Sequence, residues 1–287
     1  ERKAMNSILN YAKKEATPTK KLQQEKQRIA KKACDLVSRC IEKYPQVVGF
    51  ELGGSYAKGT WVSEKPVDNV DIDIFVKFNK ETSEHDFRNV GTKIGFESLE
   101  KYKPYTRHAE HPFVEAIVDG TRVNVVPCYD VNKGEWQSAT DRSVYHTKFM
   151  KQKLSSSMKG DVRILKRFLQ HIEVYGAEIA KEGFSGYVAE ALIFYFGSFE
   201  KTIKKISGWK KGQAVGKSVK KFDSPIVIID PVDNNRNLGT AISVDNLGKF
   251  VLAGRVFLKK PSKKFFNKPV SKRIMKNNDK IVVVQFR

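Results

Sequence analysis

The segment Val70-Asp71-Ile72-Asp73-Ile74-Phe75-Val76 constrains this chain most. Its two-residue period is that of a strand, which puts Asp71 and Asp73 on one face and Val70, Ile72, Ile74 and Val76 on the other. Two carboxylates side by side repel unless a cation lies between them, and a hard ion such as Mg²⁺ takes one or two carboxylates plus phosphate oxygens. D-x-D alone also fits a half-exposed acidic strand. The turn upstream sharpens the reading. Gly53-Gly54-Ser55 follows a strand-like run at 47–52, and glycine there lets a ligand approach the backbone closely. Ser55 adds a hydroxyl and a helix start suited to phosphate, with Lys58 and Thr60 within reach. G-G-S some sixteen residues ahead of D-x-D is far more specific than either motif alone.

Around this strand the pattern is mixed. Residues 24–44 carry Ile29, Ala30, Ala33, Leu36, Val37 and Ile41 at helical spacing and read as a first amphipathic helix. A helical stretch at 83–101 precedes two β-rich runs, 113–118 and 122–128, joined by the hairpin signal Asp119-Gly120. After about Ser138 the chain turns mainly helical, most clearly at 161–172, 186–206 and 244–258, with a strand-like 226–229 between the last two. Ser185 and Ser243 stand where N-caps belong. The run at 280–287 reads as a strand without a nearby partner, so a continuation is expected.

The 287 residues suggest roughly two domains at about 100–200 residues each, and 40% hydrophobic content excludes a disordered tail. No apolar run of about 18 residues and no signal-like start is present, so a soluble cytoplasmic protein with no membrane partner is expected. Cys34, Cys40 and Cys128 form no C-x-x-C pair, which argues for reduced, buried thiols over a zinc knuckle or a disulfide framework. Lys and Arg number 53 against 32 Asp and Glu, a formal charge of +21. Residues 201–221 hold eight lysines and no acid, with Trp209 among them; 259–276 repeat the pattern around Phe265 and Phe266. Such stretches suit a phosphate backbone and make nucleic acid the favoured partner.

Taken together, the G-G-S turn and the D-x-D strand resemble the nucleotidyltransferase superfamily that includes DNA polymerase beta, poly(A) polymerases and CCA-adding enzymes. Further segments are similar to the archaeal, class I CCA-adding enzymes: 53–61 (GGSYAKGTW), 109–114 (AEHPFV), 122–129 (RVNVVPCY), 140–146 (TDRSVYH), 175–178 (YGAE), 183–190 (GFSGYVAE) and 230–237 (DPVDNNRN). Order and spacing agree from about residue 24 to 287. The resemblance implies an α+β protein: a polymerase-beta-like nucleotidyltransferase head at 1–140, a mainly helical neck at 141–255 with nucleotide-selecting residues, and a partial basic body from 256 to 287 that starts the RNA-binding region. The family's outer tail, which grips tRNA, would lie beyond Arg287. It implies CCA addition to the tRNA 3′ end from CTP and ATP, with tRNA's acceptor end as partner and two Mg²⁺ ions as cofactor. Oligomeric state stays open, a homodimer included.

By the same resemblance, Asp71 and Asp73 hold metal. Gly54, Ser55, Lys58, Ser143, His146, Lys166 and Tyr175 surround the triphosphate or ribose, and Arg236 reads the incoming base. One position departs. Where the family has a third aspartate, in the strand at 122–127, this chain has Asn124, polar between Val123 and Val125 and so facing the same site. An amide oxygen coordinates weakly, but the general base and the charge for a second metal are gone. Activity is therefore expected to be impaired. The alternatives are an oligoadenylate-synthetase-like or poly(A)-polymerase-like enzyme, and a catalytically silent module that binds the tRNA acceptor end.

Overall fold

The computed structural model describes residues 2–63, 70–107 and 112–267. Apolar side chains gather into two main cores. The first is built on a five-stranded sheet of β1 (Val47–Gly53), β2 (Ile72–Asn79), β3 (Tyr105–Arg107), β4 (Phe113–Val118) and β5 (Thr121–Asp130), in the order β1-β2-β5-β4-β3. Only β2 and β5 run parallel; the other neighbours are antiparallel. The strand alternation expected at 70–76 is observed from Ile72, where β2 begins, so Val70 and Asp71 precede the strand: Ile72, Ile74 and Val76 are fully enclosed beneath two helices, α2 (Lys20–Ile41) and α4 (Glu84–Ser98). From α2 come Ile29, Ala33 and Val37, and from α4 Phe87 and Ile94. The opposite face carries Asp73 and Phe75, and there Val144 of α5 (Asp141–Lys153) packs against Phe75, Val126 and Cys128. The hairpin expected at Asp119-Gly120 joins β4 to β5, with Val118 paired to Thr121.

The second core is helical. It is formed by α6 (Ser156–His171), α7 (Gly186–Phe196), α8 (Phe199–Ile206) and α9 (Val244–Lys259), with a small parallel pair of strands, β6 (Gln213–Val215) and β7 (Ile226–Ile228). Phe168 sits at its centre, enclosed by the rings of Phe199, Phe250, Phe257, Phe265 and Phe266 at centroid distances of 5.2–6.2 Å. Each buried ring contributes about 1.5–3 kcal/mol by transfer from water. Ser185 and Ser243 cap α7 and α9 as expected, accepting from the amides of Val188 and Asn246.

The structure corrects three expectations and adds one finding. An additional helix, α1 (Arg2–Ala16), precedes the one read as first, and α2 itself starts at Lys20 behind the N-cap Thr19. Although α1 falls in the range read as head, its Ala12 is enclosed in the helical core, and Met5, Ile8 and Leu9 pack against it. The single helix expected at 186–206 is two. Gly197 ends α7 at φ 86°, its amide donating to Ile193, and Ser198 opens α8 by accepting from Lys201. Finally, the aromatics inside the basic runs face inward: Trp209 and Phe266 are buried in the helical core and Phe265 packs against it, while all eight lysines of 201–221 are exposed.

Cys40 and Cys128 are buried and Cys34 half-buried, all as free thiols, with burial pushing each thiol up. Among the described residues no helix is long and apolar enough to cross a membrane. The strand expected at 280–287, the lysines from Lys268 onward and residues 109–111 of the AEHPFV segment lie outside the described residues.

Candidate active site

Sheet register assembles the site. Gly53 on β1 pairs with Asp73 on β2, which pairs with Asn124 on β5, so the glycine turn and two of the expected catalytic positions form one row. Strand-mates in register share a face, hence Asn124 points where Asp73 points. The row continues to Glu115 of β4, whose carboxylate is taken by the Tyr105 hydroxyl. At Gly54 the chain turns from β1 into the short α3 (Gly54–Lys58) with φ 64°, and a Cβ there would run into the Asp73 carboxylate. Glycine is required on both counts: conformation and closeness.

Asp73 is half-buried, and its burial pushes its carboxyl above the usual range, opposed by the hydrogen bond from Asn124 Nδ2 to Oδ1 at 2.8 Å. Asp71, more open, is also pushed up by burial; Arg122 opposes this, its Nε donating to Asp71 Oδ1 at 2.6 Å. A guanidinium on one carboxylate and an amide on the other stand where cationic or donor character is wanted. Asn124 Oδ1 is buried with no hydrogen-bond partner among the described residues. Two carboxylates and an orphaned amide oxygen suit one hard cation completed by phosphate and water. Among the described residues no group of three or more His, Cys, Asp or Glu side chains could hold an ion, so the second metal expected from the sequence has no third carboxylate.

A cavity of about 280 Å³ opens on this row, lined by Gly54, Lys58, Asp73, Asn124 and, from α5, Ser143 and His146. A second, of about 300 Å³, shares Ser143, His146 and Tyr187 with the first and reaches Arg236 and Asn237. Asp230 organises that end. Its side chain is fully enclosed and accepts from Tyr187 Oη at 3.0 Å and from Arg236 Nη1 at 3.3 Å, with His146 Nε2 at 2.8 Å. Burial alone would raise the Asp230 carboxyl, but His146, the Val232 amide and Tyr187 hold it below its ordinary value. His146, stacked on Tyr187 at 3.9 Å, is depressed by burial against the pull of Asp230, which favours the neutral ring.

The structure therefore brings together Asp73, Asn124, Gly54, Lys58, Ser143, His146 and Arg236 along the two cavities; Asp71, just before β2, and Ser55, in α3, adjoin these residues in sequence and line neither. Lys166 and Tyr175 line neither cavity. Lys166 is buried behind Thr60, donating to its carbonyl at 3.1 Å. Tyr175 lies next to it, both side chains meeting over Gly186. Two buried carboxylates, Asp230 and Glu190, escaped the sequence reading as residues with roles. Glu190 had a signal: it is the one charged residue in the otherwise apolar and aromatic α7.

Residues 33–149 match the nucleotidyltransferase domain family, and residues 160–267 match the second domain of tRNA nucleotidyltransferases. The fold is similar to that of the Cid1 RNA terminal uridylyl transferase, with a TM-score of 0.68 at 13% identity over 94% of this chain and 100% of that one. CdnC of E. coli MS115-1 with ATP matches at a TM-score of 0.64 and 16% identity over 91% of this chain and 94% of that one. In sequence the chain is 38% identical to the CCA-adding enzyme of Pyrobaculum islandicum over 91% of its length and 62% of the relative's. It is 36% identical to that of Methanocaldococcus jannaschii, over 91% of this chain and 60% of the relative. The chain thus spans about six-tenths of these relatives. Two matched domains in this order, on a polymerase-beta-like sheet, and an identity that runs through both make the chain a nucleotidyltransferase-domain homologue of the archaeal class I CCA-adding enzymes over about six-tenths of their length.

Proposed function

We propose that the chain adds C, C and A to the 3′ end of tRNA from CTP and ATP, and that Asn124 slows it. The observation carrying this reading is a pair of neighbouring cavities with a shared wall. One holds the Asp73–Asn124 row, the other holds Arg236, and Ser143, His146 and Tyr187 line both. That layout suits a nucleoside triphosphate lying with its phosphates at the row and its base at Arg236. Mg²⁺, held by Asp71 and Asp73, would supply positive charge for phosphoryl transfer when bound. Lys58 and the Ser55 hydroxyl bind the triphosphate, and Ser143 and His146 orient the sugar and phosphates. The Arg236 fork, tethered by Asp230, donates to acceptors that cytosine and adenine share. Asn124, which cannot accept the 3′-hydroxyl proton as a carboxylate would, limits the rate.

Labelled nucleotide incorporation into a tRNA minihelix lacking CCA, with Mg²⁺, tests the proposal. Extension by C and then A, with UTP and GTP refused, supports it; extension by A alone points to a poly(A)-polymerase-like enzyme. Arg236→Ala is expected to lower CTP and ATP use by about 10- to 100-fold while leaving UTP and GTP unchanged, the cost of charged hydrogen bonds to a base. Equal loss for all four nucleotides would remove Arg236 from base selection. One observation favours a second reading, a silent tRNA-binding module: the amide at position 124 where a carboxylate is expected.

The exposed lysines of 201–221 are proposed to contact tRNA phosphates. Affinity for the minihelix is expected to fall about 100-fold or more between roughly 50 and 200 mM salt, as release of four or more counterions requires. An affinity flat across that range, read by filter binding or anisotropy, would rule out this surface.

A further inference from the structure

One buried carboxylate joins the two cores at the edge of the cavity. Glu190 on α7 is fully enclosed. Its Oε2 accepts from Lys58 Nζ at 2.6 Å and its Oε1 from the Thr60 hydroxyl at 2.5 Å. Lys166 Nζ of α6 stands 3.6 Å from Oε1. Lys58 ends α3 and Thr60 follows it, whereas Glu190 and Lys166 belong to the helical core, so the cluster ties residues some 130 positions apart. A carboxylate survives such enclosure only when paired, and the rest of α7 shows that apolar packing fills this region without one.

We infer that Glu190 is a positioning residue for nucleotide binding: from the neck it fixes Lys58 of the head at the cavity wall and anchors Lys166 behind it, without touching nucleotide itself. The inference rests on the nucleotidyl-transfer reading above. Lys58 has three N–H donors and gives one to Glu190, its ammonium also lying 5.3 Å from the Tyr187 ring. It lines the cavity with Asp73 and Asn124. Two lysines against one glutamate leave the cluster with a single net positive charge, which Lys58 presents to the cavity.

Lys166 faces Glu190 from α7, Lys58 from α3, Arg163 from its own helix, the Thr60 carbonyl and the Tyr175 hydroxyl beside Gly186. Burial, with Lys58 and Arg163 adding to it, brings Lys166 down to about 8, and Glu190 opposes that fall. Removing the carboxylate's charge lowers Lys166 further. Triphosphate affinity, present while Lys166 is protonated and lost as pH rises through its titration, then declines at lower pH.

Dissociation constants for ATP and CTP with Mg²⁺, measured from about pH 6 to about pH 9, test this on the whole chain and on Glu190→Gln, Glu190→Asp and Lys58→Ala. Glu190→Gln is expected to weaken both nucleotides at least about tenfold near neutral pH and to move the alkaline loss down by about one pH unit. Adding Lys58→Ala to Glu190→Gln should cost little more, because both act through one ammonium. If Lys58→Ala weakens ATP but Glu190→Gln leaves affinity and pH profile unchanged, the inference falls alone, and Glu190 is only structural. If Lys58→Ala changes nothing, the nucleotide-site reading falls and takes the inference with it. Should Glu190→Gln fail to fold, Glu190→Asp decides: it keeps the charge but shortens the reach, so weaker ATP with an unmoved alkaline loss supports the inference, and unchanged affinity overturns it.

Discussion

Asn124→Asp is expected to raise CTP and ATP incorporation by about 10²- to 10⁴-fold, the range that one general base contributes. The register argues for an effect of this size at this position. Asn124 faces Asp73 across β2 and β5, and its amide now donates to Asp73 at 2.8 Å. A carboxylate in its place turns a donor–acceptor pair into two repelling acceptors, which a divalent cation between them relieves. Mg²⁺ or Mn²⁺ affinity, read by calorimetry in the absence of nucleotide, should therefore rise together with the rate. Tighter metal without faster incorporation would place the deficit elsewhere in the site. No change in either, with minihelix binding intact, would favour the tRNA-binding module. Gly54 should remain indispensable in both forms, since any side chain there collides with Asp73.

Phe168→Ala is expected to cost about 3–5 kcal/mol of stability, the usual loss for an enclosed phenylalanine. For a chain of this size that lowers the thermal midpoint by roughly 5–8 °C. The ring is fully enclosed and meets five other phenylalanines, stacking on Phe265 at 5.2 Å with planes only 10° apart. Little nearby is flexible enough to refill the space. Two of the partners, Phe265 and Phe266, lie in the short helical turn at 263–266 after α9, and Ala12 of α1 lies in the same core. The loss should thus appear in the helical core. If calorimetry resolves two transitions, the sheet's should stay in place, because Ile72, Ile74 and their helices form a separate cluster. A drop below about 1 kcal/mol would mean that the core collapses around the cavity.

The head was legible because its signals are local. Period-two alternation at 70–76, the glycine turn at 53–54 and the Asp119-Gly120 hairpin each specify conformation within a few residues. The family resemblance put Asn124 at the site and alternation gave its face, and the register pairs it with Asp73. Helix α1 was hidden because its stability comes from packing on the helical core, far along the chain. The break at Gly197 was hidden for a related reason. Glycine within a helical pattern can be tolerated or can end the helix, and only the left-handed φ of Gly197 and the Ser198 cap show which applies.

The same divide runs through the site. By itself the sequence determined the chemical types present: two acids on one strand face, a phosphate-friendly turn, an amide in place of a third acid, and a surplus of lysines. Only the tertiary structure decided which of these meet. Trp209 and Phe266, set among lysines, go inside because burying a ring outweighs the preference of its neighbours for water. Lys166, a charged residue on a helix, is buried because Glu190 and the Thr60 carbonyl satisfy it there. Asp230 and Glu190 acquire their partners from segments from 6 to more than 130 positions away, and an ion pair of that range leaves no periodicity in the chain to announce it.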